Sequence, residues 1–163
     1  MKKFLALIFA VLCVIPLIAS CGTTSPTSLS PSKSFENENE FYEVVSETQE
    51  LLDIVADDIY TYWYECIYND KYLENINYAI ACAKLDNKEN IDKIETNNEK
   101  IKDLYSKIRD GELKAEVKAV MQAYNDYYAL VIEVSGSFNS YSANKETCKK
   151  ELSSTLKDLS FEL

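Results

Sequence analysis

The chain is expected to be all-α: an elongated antiparallel helical bundle, with one long first helix, three shorter helices, and a coiled-coil hairpin at the far end. Three observations predict this. From Ser32 to Leu163 there is no proline, and the only glycines are Gly111 and Gly136, so almost nothing there breaks a helix. Steps of four and three from Phe41 land on Val45, Thr48, Leu52, Val55, Ile59, Tyr62, Cys66, Asn69, Leu73, Ile76, Ile80 and Ala83. All but Thr48 and Asn69 are apolar or aromatic, and a stripe held that long on one helical face demands partner helices. Three later stretches carry shorter stripes of the same kind, and these supply the partners.

The N-terminal segment comes first. Lys2 and Lys3 precede a wholly apolar run from Phe4 to Leu12, which continues through Pro16 to Ile18. A charged start, an apolar run and then small residues is the layout of a secretory signal. The run is too short, and too soon followed by polar residues, for a stable spanning helix. It ends in Ile18-Ala19-Ser20-Cys21, which resembles the lipobox of bacterial lipoproteins at all four positions. That resemblance implies cleavage before Cys21, diacylation through its sulfur, and a place on the extracytoplasmic face of the cell membrane. Two acyl chains hold a protein durably on a bilayer, since each buried methylene contributes roughly 0.8 kcal/mol. Residues 1–20 are therefore assigned as signal peptide, 21–36 as a lipid-anchored flexible linker, and 37–163 as the helical domain. The linker is rich in serine and threonine, with Pro26 and Pro31, a composition that buries too little to fold.

The first helix is expected to run unbroken through its stripe, with Asn69-Asp70 as one weak point, because both residues favour turns. A compact four-helix bundle, with the first helix broken at that pair, is the alternative. Asp86 followed by Glu89 reads as a capping box opening the second helix. Its narrow seam is Ile91, Ile94, Asn98, Ile101, Tyr105 and Ile108, and Gly111 stands where a C-terminal glycine belongs. A narrow seam suits a two-stranded contact, so this helix is expected to pair with the far half of the first. The third helix starts near Glu112, with Leu113, Val117, Val120, Tyr124, Tyr127, Val131 and Val134 as its seam. The fourth carries Phe138, Tyr141, Cys148, Leu152, Thr155 and Leu159. Tyr62-Trp63-Tyr64 with Ile67-Tyr68, and Ser135-Gly136-Ser137 with Tyr141-Ser142, resemble segments of helical proteins from low-GC Gram-positive bacteria; that resemblance implies no activity.

Composition narrows the function. Without residues 1–20, which hold two lysines and no acids, 15 basic side chains face 27 acidic ones. Such a surface repels phosphate backbones and anionic headgroups, so no nucleic acid partner is expected. There is no histidine, which removes Ser-His-Asp and Cys-His nucleophiles and histidine metal sites. With no glycine-rich loop or nucleophile motif either, the chain reads as a non-enzyme with no cofactor. Cys66, Cys82 and Cys148 are odd in number and lack zinc spacing; Cys66 and Cys148 read as small apolar fillers. Glu50, Asp53 and Asp57 share a helical face that reads as solvated acidic surface rather than a calcium site.

One feature points to a partner. Tyr60, Tyr64, Tyr68 and Tyr72 recur every four residues, and on a continuous helix they lie about 100–220° from Ile59, away from the seam. Tyrosine is favoured where proteins touch partners, being apolar in body and polar at its tip. The functional expectation is thus a membrane-tethered protein-interaction module of the cell envelope, with a passive spacer as the alternative.

Overall fold

The computed structural model describes residues 35–163; the signal peptide, Cys21 and most of the linker lie outside the described residues. Five α-helices follow in order: α1 (Glu36–Tyr68), α2 (Ile76–Asp86), α3 (Lys88–Ile108), α4 (Lys114–Ile132) and α5 (Phe138–Ser160). They and one short 3-10 turn (Tyr72–Glu74) make 85% of the described residues helical, and no strand occurs among them.

The unbroken first helix is not observed. α1 starts with Glu36 and Glu38 in its first turn, where carboxylates face the positive end of the helix dipole. It stops at Tyr68, and Asn69-Asp70 begin a reversal that lasts to Asn75. Asp70, Tyr72, Leu73 and Glu74 all take left-handed backbone, with φ of 52°, 57°, 56° and 54°. For a residue with a side chain that conformation costs roughly 1–2 kcal/mol. Local contacts hold it in place. The Tyr72 ring stacks on Tyr62 with centroids 4.9 Å apart, and its hydroxyl donates to Glu65 Oε2 at 3.3 Å. Lys71 Nζ meets Glu65 Oε1 at 2.8 Å. Asn75 then caps α2 by accepting from the Tyr78 amide at 3.1 Å.

The far half of the expected first helix is therefore α2, which folds back along α1. The expected capping box at Asp86 and Glu89 is also absent. Asn87 takes the capping position without a side-chain cap bond, and α2 runs almost directly into α3. Asp86 instead accepts a hydrogen bond from the Tyr62 hydroxyl. Asn87 is buried at the joint, donating to Asp58 Oδ2 at 2.7 Å and to the Ala83 carbonyl at 3.0 Å. Together α2 and α3 form an arm antiparallel to α1, tied by Asn97 Nδ2 donating to Thr48 Oγ1 at 3.0 Å and by Lys100–Glu40 at 2.7 Å.

After the Gly111 turn, α4 runs parallel to α1 and α5 returns antiparallel. Tyr127 donates to Asp53 at 2.6 Å, and Tyr141 to the Ala56 carbonyl at 3.3 Å. α1 packs against all four other helices. The core is made of Phe41, Val45, Leu52, Val55 and Ile59 of α1 with Ile94 and Ile101, Val117 and Val120, and Leu152 and Leu159, all fully buried. Each such aliphatic side chain contributes about 1.5–3 kcal/mol on burial. Asn98, the one polar residue of the α3 seam, accepts from the Tyr124 hydroxyl at 3.2 Å, which satisfies its side-chain oxygen inside the core. These core residues belong to one compact unit, Ser34–Leu163.

Candidate interaction surface

α1 brings Tyr60, Tyr64 and Tyr68 onto one face, where residues four apart are neighbours. Their rings form a ladder: Tyr60 and Tyr64 stack at 6.3 Å, and Tyr64 and Tyr68 lie 4.7 Å apart. Phe138, the first residue of α5, joins all three at 5.1, 6.2 and 6.2 Å. The Lys145 ammonium sits 4.8 Å from the Tyr60 ring centroid, an attractive cation–π placement. Exposure rises along the ladder: Tyr60 is half-buried, Tyr64 is 42% exposed and Tyr68 59%.

Tyr72 does not belong to this ladder. Its place there rested on a continuous helix, and the reversal at Asn69-Asp70 carries it onto Tyr62 instead. Burial and the Glu65 carboxylate both push its phenol up. The Tyr62 phenol is raised further, chiefly by its hydrogen bond to Asp86. Tyr62 thus behaves as a structural residue of the α1–α2 contact.

Phe138, a seam residue of the last helix by its spacing, joins the cluster from α5, and Trp63 supports it from α1. Trp63 is buried beneath the ladder, 6.0 Å from Phe138 and 5.6 Å from Tyr141. Its Nε1 finds no acceptor. The position of Phe138 at the start of α5 lets its ring reach over to α1.

The acidic face of α1 is not simply solvated. Asp53 pairs with Lys149 at 2.9 Å and Asp57 with Lys145 at 2.5 Å, so these carboxylates tie α1 to α5. Among the described residues no group of three or more His, Cys, Asp or Glu is placed to hold a metal ion, and no helix is long and apolar enough to cross a membrane. Cys66, Cys82 and Cys148 are all free thiols, Cys66 buried as its seam position requires. A groove lined by Glu146, Thr147, Lys150, Glu151 and Ser154 lies on α5 alone.

No family model matches the chain, and no curated protein or solved structure matches it.

Proposed function

We propose that this protein is a membrane-tethered interaction module of the cell envelope, anchored by lipid at Cys21 and offering the upper tyrosine ladder to a protein partner. The observation that carries the surface is the pair Tyr64 and Tyr68, exposed at 42% and 59% on a rigid helix. Aromatic rings already fixed by their neighbours lose little freedom when a partner covers them. The anchor rests on Ile18-Ala19-Ser20-Cys21 alone. No catalytic group or cofactor enters this reading.

Two measurements test it. Cys21→Ser should abolish labelling by a fatty-acid probe and release the protein from membranes; unchanged labelling removes the anchor. Joint Tyr64→Ala and Tyr68→Ala should weaken capture of envelope partners while the melting temperature stays near that of the parent. If that variant destabilises the fold as strongly as Tyr62→Ala, the ladder is core and the surface assignment fails.

A further inference from the structure

The reversal between α1 and α2 displays an apolar residue that the fold itself does not use. Leu73 is 87% exposed, more than any other large apolar side chain among the described residues. Its backbone is left-handed, at φ 56° and ψ 28°, where leucine is disfavoured and glycine or asparagine is at home. Neither packing nor backbone geometry accounts for a leucine here. Further exposed apolar groups stand close in sequence on the flanking helices: Ile67 at 40%, Ile76 at 39% and Tyr78 at 49%. The turn is rigidly set by the Tyr62–Tyr72 stack and the Lys71–Glu65 pair, so Leu73 is held out before anything binds.

Charge says what kind of occupant fits. Asp70 and Glu74 flank Leu73 and are exposed, and neither has a side-chain partner among the described residues. Lys71 is the one cation of the turn and is engaged with Glu65. The turn therefore presents an apolar knob between free carboxylates on a chain of net charge −10. A second copy and an anionic membrane would both meet like charge. We infer that Leu73 is the anchor for a partner protein that supplies an apolar pocket or helix face rimmed by lysine or arginine. This deepens the reading above by naming the partner's chemistry, but it rests on a residue outside the tyrosine ladder.

The test titrates residues 34–163 with two synthetic amphipathic helices that share one leucine face, one flanked by lysine and the other by glutamate. Circular dichroism checks the fold of each variant. The lysine peptide should bind, and the glutamate peptide should bind roughly tenfold more weakly or worse. Leu73→Asn keeps a residue that tolerates the left-handed turn, so it should raise the melting temperature while weakening the lysine peptide by about tenfold or more. Leu85→Asn removes the other strongly exposed leucine, at 70%, and should leave affinity within about twofold. Equal binding of both peptides, or equal loss from the two leucine variants, overturns the proposal. So does a Leu73-dependent self-association in ultracentrifugation, or a Leu73-dependent binding to phosphatidylcholine vesicles. If Tyr64→Ala and Tyr68→Ala weaken binding while Leu73→Asn does not, the inference falls and the ladder stands; the reverse result does the opposite.

Discussion

Between α4 and α5 the left-handed backbone position is filled by Gly136, at φ 88°. Ser137 follows at once, accepting from the Ser140 amide at 3.2 Å, while Ser140 Oγ accepts from the Ser137 amide at 2.9 Å, a reciprocal cap that opens α5. Between α1 and α2 the corresponding positions hold Asp70, Tyr72, Leu73 and Glu74. One turn uses the residue that the conformation favours and spends its neighbours on capping. The other strings together residues that the conformation penalises and shows one of them to solvent. A turn made only to reverse the chain has every reason to resemble the first, which is why we place the proposed docking residue on the second.

The comparison can be broken at its strongest point by Tyr141→Ala. Tyr141 is fully buried four residues into α5, and truncating a buried aromatic costs about 3–5 kcal/mol. Urea unfolding should show that loss, and no single truncation in the 69–75 turn should approach it. Gly136→Ala comes next. The new Cβ would meet Ser140 Oγ at 2.8 Å and sit at φ 88°, so strain and a disturbed cap together should cost about 1–3 kcal/mol. A neutral result would mean that the turn relaxes freely, and the contrast would lose its basis. Leu73→Asn should move stability the other way, by up to about 1 kcal/mol in the same assay. A destabilised Leu73→Asn would show that the leucine side chain supports the fold after all. The smallest effect is expected at Tyr68→Ala, within about 0.5 kcal/mol, as for other exposed positions.

The same turn marks the limit of what the sequence discloses. Helical fold class was legible from missing prolines and glycines, and the seams found most of the core: Phe41, Val45, Leu52, Val55 and Ile59 are all buried. The chain reversal was not. Leu73 and Ile76 continue the stripe of α1 by spacing, yet they are exposed at 87% and 39%, because spacing measures distance along a helix and cannot register that the helix has ended. The turn-forming pair Asn69-Asp70 was the one local signal, and the persistent stripe outweighed it. Tyr72 was misplaced for the same reason. Tyr60, Tyr64 and Tyr68 precede the break and keep their four-residue spacing, but Tyr60 is half covered by Phe138 and Lys145 of α5 rather than standing clear of other helices. Phe138, distant in sequence, joined them only through the packing of α5 on α1, which no local pattern encodes.

α1 and the arm formed by α2 and α3 each span 33 residues from first to last, about 50 Å at helical rise. The arm therefore ends where α1 begins, and the Gly111 turn lies beside Glu38. The chain enters at Phe35 at one end of α1, and Leu73 stands at the other. A load applied between those points runs along the axis of α1, whose own backbone hydrogen bonds and whose contacts with the other four helices oppose its stretching. A pull of the same size across the bundle would instead peel one helix from the next, layer by layer. A partner held at Leu73 would stand at the far end of α1 from Phe35.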